Sequence, residues 1–443
     1  MHEALERREF LGAGVAALAL TAAGCATDGV SDAFTWDLRT RAAAAGMKPD
    51  FNLDLRQAVQ RHVDNHDHTG VVSAVARNNK LVWYEAQGVR DVETNAPMRR
   101  DDIFRMMSST KNITSTAVLL MMEAGKLSID DPVSRYIPSF ARQRVAIGPQ
   151  GWQQAITDPG KRAELAAQVR FEPAVRDITI KDLLTHTSGL SSTFGLGAGP
   201  ASLVNPDLHT NFATDTLANR IPQLGAFALD FQPGSRWGYS PLDGMDTLLH
   251  IVELTSDQDA ESFLQKRIFD PLGMIDTHFN LPAAKQARLL KLYERKDDAW
   301  REAPAMFGNA PVKYICGAGG LMSTVHDYLQ FELMRLNGGV FNGARILRED
   351  TVTLMSTNHV GALFAQWAPP LTDGMGFGLG VRVVVDPTRA HDSRGRGAFG
   401  WGGAYGTESW TDPALGIAAC YFVQQPGNLA VRDFEHEIAA SIA

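Results

Sequence analysis

The sequence predicts an α+β protein, part α/β and part all-α. One antiparallel sheet is assembled from both chain ends and flanked by the terminal helices, and a large helical domain is inserted between its two halves. Three observations predict this. Strand-like stretches occur near the start, at 71–76 and 81–85, and again near the end, at 377–385, 407–412 and 416–423. Helical spacing precedes the first strand pair and follows the last strand. Between 108 and 374 the pattern is mainly helical. The expected boundaries are a sheet-plus-helix domain over 28–107 and 375–443 and an inserted helical domain over 108–374, within the two to three domains that 443 residues allow.

Each element has a local reason. From Asp50 to Asn65, Leu53, Leu55, Ala58, Val59 and His62 fall near one helical face. Asn78-Asn79 joins the first two strands, because Asn tolerates φ > 0 in a tight hairpin. Residues 91 to 102 are polar and loop-like. The run Ile113 to Met122 has almost no polar side and reads as a helix buried in a core, with Gly125 as its C′ residue. It is too short for a membrane span, which needs roughly 20 apolar residues. Residues 141 to 177 have no clean period and read either as a cap over a pocket or as a solvated surface excursion.

Thr179 to Asp182 looks like a capped helix start, broken by Thr187-Ser188-Gly189. A helix is expected from Asp243 to Leu254. Another begins at Ser256-Asp257-Gln258-Asp259 and is ended by Pro271 and Gly273. From Thr324 to Asn337, Thr324 and Asp327 stand in capping-box register and Gly338-Gly339 forms the stop. Val431, Phe434, Ile438 and Ile442 line one stripe of a last helix over 428–443.

Bulk properties exclude several functions. A net charge of −8 without basic blocks argues against a nucleic-acid surface. Cys25, Cys316 and Cys420 are too few and scattered for a disulfide framework or a structural zinc site. Cys420 reads as a buried, inert thiol. At the N-terminus, Arg7-Arg8-Glu9-Phe10-Leu11 resembles the twin-arginine export motif, and an uncharged small-apolar stretch runs from Leu11 to Gly24. Residues 1–27 are therefore expected to be an export signal of a bacterial protein, leaving it periplasmic or membrane-anchored. Ala22-Ala23-Gly24-Cys25 reads as a lipoprotein box for an anchor on Cys25 or, lacking the preferred leucine, as an ordinary leader end.

The chemistry starts at Ser108-Ser109-Thr110-Lys111. Ser108 and Lys111 are one helical turn apart, at the mouth of the buried helix, where unpaired N–H groups and the dipole favour a developing oxyanion. An amine beside a serine makes it a plausible activated nucleophile. A single S-x-x-K is a chance-level match by itself. The alternatives are weaker. G-x-S-x-G is absent. Gly395 to Gly400 fits G-x-G-x-x-G literally, but no helix follows it. His62, His66 and His68 sit where a helix frays, with no further ligands at metal spacing. His186 reads as a turn-stabilising residue rather than a base.

Phe104 to Lys111 is similar to the S-x-x-K region of class C β-lactamases and their relatives. Further blocks follow in the same order. Glu123 to Val133 resembles that superfamily's GKLSLDDPV stretch and Ile178 to Leu190 its ITIRDLLTHTSGL stretch. Phe231 to Ser240 and Gly317 to Asp327 resemble its PG…YS and GAGGLxST segments. The resemblance implies a β-lactamase/transpeptidase-like fold and a site with Ser108 as nucleophile and Lys111 and Tyr239 exchanging protons. Trp401-Gly402-Gly403 stands for the third motif, on a strand beside the nucleophile, and the amides of Ser108 and Ala404 form the oxyanion hole. A buried lysine beside a tyrosine loses part of its preference for charge, so either acts as base.

Two departures point to the substrate. Pro241 stands where β-lactamases carry the Asn of Y-x-N, and Trp401 where they carry the lysine of K-T-G. A site without that cation and with an indole in its place favours a neutral, partly apolar acyl compound. The combination resembles family VIII carboxylesterases. The expected function is an exported serine esterase acting on short to medium acyl esters of small molecules, with no cofactor and no metal. The rivals are a β-lactamase or D-amino-acid peptidase, and a penicillin-binding sensor that acylates without turnover.

Overall fold

The computed structural model describes residues 38, 40–190, 199–206, 210–428 and 430–443. The expected leader, with Arg7, Arg8 and Cys25, lies outside the described residues. An eight-stranded antiparallel sheet forms the centre. Its strands are β1 (Gly70–Arg77), β2 (Lys80–Asp91), β3 (Ala96–Pro97), β4 (Met375–Phe377), β5 (Arg382–Val384), β6 (Phe399–Gly400), β7 (Thr407–Asp412) and β8 (Ile417–Phe422). They stand in the order β4-β5-β6-β7-β8-β1-β2-β3, so the two chain ends meet where β8 pairs with β1. The Asn78-Asn79 turn has both residues at positive φ, as a two-residue hairpin requires.

Alternation along β1 explains why both sheet faces are covered. Val71 and Val75 point to one side, into a cluster with Phe51, Leu55, Phe434 and Ile438 from the terminal helices α1 (Phe51–Asp64) and, at the far end, Val431–Ala440. Val72, Ala74 and Ala76 point to the other side, into the larger core of the helical part. At the centre of that core lies α2 (Thr110–Glu123), buried from Thr110 to Met121. Two of its polar side chains bond outside the helix: Asn112 donates to the Tyr328 hydroxyl (3.0 Å) and Thr114 to the Gly317 carbonyl (2.7 Å). Gly125 follows at φ 67°, the expected stop. The other helices that matter for the site are α3 (Asp243–Ser256) and α4 (Val325–Leu336), the latter capped by Thr324, whose hydroxyl accepts from the Asp327 N–H. Among the described residues no helix is long and apolar enough to cross a membrane.

Some elements differ from expectation. Residues 377 to 385 form two strands rather than one, because the chain reverses at Gly380 (φ 79°). A side chain there would collide with Ser115 on α2, 1.9 Å from its Oγ. The helix after Asp259 continues through Pro271 to Leu272, passing a π-turn at Gln265–Phe269, and only Gly273 stops it. The capped start at Thr179 is a full capping box with Asp182. Residues 144–147 and 170–173 pair as a hairpin, and the intervening short helices hide little surface. This excursion is tied to the segment 199–232, through Arg162 to the Ser202 carbonyl and Ala146 to Leu229. Cys316 and Cys420 are both free and buried, and burial pushes both thiols well up.

Candidate active site

Ser108 lies half-buried in a single 3₁₀ turn, Met107–Ser109, that leads into α2. Regular helix begins only at Thr110, because Met107 adopts φ 47°. Such a left-handed residue costs on the order of 1 kcal/mol and persists where its surroundings fix it. Here the flanking groups are pinned on both sides. The Met106 carbonyl accepts from Thr407 Oγ1 (2.9 Å), the Met106 N–H reaches the Leu321 carbonyl (2.9 Å), and the Ser109 carbonyl accepts from the Tyr328 hydroxyl (2.7 Å).

Three expected residues converge on one atom. Lys111 Nζ stands 3.1 Å from Ser108 Oγ, and the Tyr239 hydroxyl donates to the same oxygen at 2.8 Å. Lys111 is almost fully buried, and its two remaining donors reach the carbonyls of Pro241 and Ala318, each at 2.7 Å. All three amine directions are therefore used, and the chain is aimed rather than free to swing. Pro241 lacks the side-chain amide of its motif position, yet its backbone oxygen holds the lysine.

The third motif stands close by, with one correction. Trp401, Gly402 and Gly403 are not on a strand; they form the turn between β6 and β7. Gly403 donates to the Thr407 carbonyl (2.6 Å), and a Cβ there would stand 2.2 Å from the Met106 carbonyl. Only glycine lets this turn close on the residues before Ser108. Ala404 sits exposed at its tip, and the amides of Ser108 and Ala404 make no hydrogen bond among the described residues. Trp401 packs 5.6 Å from the Tyr239 ring and 5.4 Å from Phe377.

Several contributors went unseen in the sequence. Asp246 on α3 is buried and collects three donors: the Tyr314 hydroxyl (2.8 Å), the Ala318 N–H (2.9 Å) and Cys316 Sγ (3.6 Å). It thereby holds the 314–318 segment whose Ala318 carbonyl receives Lys111. Burial pushes its carboxyl up to about 6, against those hydrogen bonds and the nearby Lys111. Neighbouring Asp243 rises to about 7 by burial, with the Arg220 charge opposing. The only sequence signal was a pair of acids at a helix start, which the macrodipole already explains.

His186 occupies a left-handed turn (φ 56°), and its Nδ1 accepts from the Ser240 N–H at 3.3 Å. Its ring packs on Trp237, Tyr239 and Phe377. Burial and the Lys111 charge push the imidazole down to about 3, so it is neutral, in keeping with a turn-stabilising part. As pH falls below about 6.5, only the unfolded chain takes up this proton, so stability drops toward pH 3 by about 1.4 kcal/mol per unit. Accordingly, His186→Asn, which tolerates the same backbone, is expected to flatten the fall in the urea midpoint between pH 6 and pH 4. Equal slopes in both proteins would refute that assignment. Two histidines of the predicted cluster have structural partners: His62 lies between Asp67 (2.7 Å) and Asp433 (3.0 Å), and His68 meets the Tyr421 hydroxyl (2.7 Å).

Comparison with known proteins identifies the family. The family model described as Beta-lactamase matches residues 55–443. An uncharacterised protein of Mycobacterium tuberculosis is 33% identical over 405 residues, covering 88% of this chain and 94% of the relative. Esterase EstB of Burkholderia gladioli is 30% identical over 371 residues, covering 79% and 84%. Among solved structures, EstCE1, described as a hydrolase with promiscuous acyltransferase activity, superposes with a TM-score of 0.70 at 23% identity, covering 93% of this chain and 100% of that one.

Proposed function

The chain belongs to the beta-lactamase family, and within it we propose a serine ester hydrolase that works through an acyl-enzyme on Ser108. The observation that carries this reading is the meeting of Lys111 and Tyr239 on Ser108 Oγ beside an aromatic, uncharged wall. A lactam or peptide carboxylate would find an indole where the family motif offers a cation, and a proline where it offers an amide. An uncharged ester needs neither. Its similarity to Esterase EstB supports the same substrate class.

Ser108 Oγ attacks the ester carbonyl while its proton passes to the Lys111–Tyr239 pair. The oxyanion faces the amides of Ser108 and Ala404. The bond to the alcohol oxygen then breaks, that oxygen takes the proton back from the pair, and the acyl group stays on Ser108. Water attacks the acyl-enzyme, gives its proton to the pair and releases the acid, and the proton returns to Ser108. No step calls for a metal or an organic cofactor. Short to medium acyl groups are the proposed substrates. Export follows from the leader: changing both Arg7 and Arg8 to lysine should keep the protein in the cytoplasm, and unchanged export would reject the route.

The protein without its first 27 residues, assayed on p-nitrophenyl esters of graded length beside a chromogenic cephalosporin, tests the substrate class. Ester turnover exceeding cephalosporin turnover by at least about 100-fold is expected. The reverse order would make the protein a β-lactamase or peptidase. Stable labelling by a fluorescent penicillin without ester turnover would make it a penicillin-binding sensor.

A further inference from the structure

Two turns meet beside Ser108, and one residue fastens them together. Thr407 opens β7, pairs with Phe422 of β8 in the central sheet and is 1% exposed. Its Oγ1 has a single proton, which it gives to the Met106 carbonyl at 2.9 Å. The same hydroxyl lies 3.0 Å from Ser109 Oγ. With the Thr407 proton already placed, Ser109 is the donor of that pair. Met106 and Ser109 flank the nucleophile, and the Ser109 N–H closes the turn on the Met106 carbonyl at 3.1 Å. Ser108 therefore sits in a turn whose two ends are tied to one hydroxyl.

The backbone of Thr407 fastens the other turn. Its carbonyl accepts from the Gly403 N–H at 2.6 Å, and the Gly406 N–H reaches the Gly403 carbonyl at 2.9 Å. Ala404 rides between those two bonds. Gly403 also leaves room for the hydroxyl, because a Cβ there would stand 2.4 Å from Thr407 Oγ1. A β-branched side chain has a stiff χ1, so the hydroxyl keeps its direction. The chain of hydroxyls from Ser109 through Thr407 to Met106 also restrains Met107, whose φ of 47° turns the backbone into Ser108.

We propose that Thr407 is the positioning residue of the Ser108 site, setting the separation and direction of the Ser108 and Ala404 amides that receive the oxyanion. It touches neither substrate nor reacting atoms and acts through the two turns it joins. An oxyanion hole works because its donors are already aimed where charge develops, and a misplacement of about 1 Å costs on the order of 10²-fold. The inference rests on the acyl-enzyme reading of Ser108.

Thr407→Val keeps the shape of the side chain and removes the hydroxyl, whereas Thr407→Ser keeps the hydroxyl. On p-nitrophenyl acetate, kcat/KM is expected to fall about 30-fold in Thr407→Val and to recover most of that in Thr407→Ser. Phenylboronic acid supplies a readout separate from turnover. Ser108 Oγ bonds to its boron, the serine proton passes to the Lys111–Tyr239 pair, and the tetrahedral boronate carries the negative charge at the place of the oxyanion. Loss of folded protein lowers the calorimetric stoichiometry, whereas a misplaced hole raises Kd. That Kd should rise about ten-fold in Thr407→Val and return toward the parent's in Thr407→Ser. An unchanged Kd overturns the proposal, as does a Thr407→Ser protein no better than Thr407→Val. Should Thr407→Val not fold, Ser109→Ala removes only the donor to Thr407 Oγ1. Its Kd should rise about three-fold, and no rise there overturns the proposal. A parent that binds no boronate offers no such hole and overturns it too. Boronate binding retained in Ser108→Ala would refute Ser108 as the nucleophile and the proposal with it. Binding lost there but unchanged in Thr407→Val would refute the positioning role alone.

Discussion

Lys111→Ala is expected to lower kcat/KM for p-nitrophenyl esters on the order of 10³-fold, within the range for losing a positioned acid–base group. Lys111 Nζ contacts Ser108 Oγ directly and fixes the nucleophile relative to the Pro241 and Ala318 carbonyls. The variant should also lose stability, because the buried Ala318 carbonyl is left without this donor at about 1–3 kcal/mol, and the part-buried Pro241 carbonyl adds less. A circular-dichroism melt separates the effects: a folded chain with a lowered Tm and no acylation is the expected result. Turnover near the parent's would remove Lys111 from the mechanism.

Ser108→Ala is expected to abolish turnover, by on the order of 10⁴-fold or more, with little change in Tm. Ser108 is half-buried and its hydroxyl is held by two side chains that retain other contacts, so its removal disturbs little packing. Mass spectrometry of the protein incubated with an activated ester should show an added acyl group on the parent and none on the variant. Combined with Lys111→Ala, the activity loss should not add, because the two residues serve one proton transfer. An acyl adduct on Ser108→Ala would place the nucleophile elsewhere.

Much of the sheet and of the site was legible because its signals are local. The hairpin at Asn78-Asn79 is written in two residues that tolerate positive φ, and the Thr179 capping box in two residues three apart. The split of 377–385 was not legible. The reversal depends on Gly380 meeting Ser115, a contact between residues far apart in sequence. The strand expected for Trp401 to Gly403 failed for the same reason. Gly403 is needed because the Met106 carbonyl approaches it, and nothing near it in the chain announces that contact.

The residue types and their order singled out the proposed nucleophile Ser108, its proposed amine and phenol partners, and the altered positions Pro241 and Trp401, because hydroxyl, amine and indole chemistry belongs to side chains and is carried by identity alone. Only the tertiary structure decided how those groups are aimed. Lys111 is held by two backbone carbonyls that no residue identity reveals, and Asp246 secures the segment bearing one of them. Side-chain chemistry is local to the chain; orientation and shape come from contacts between its distant parts.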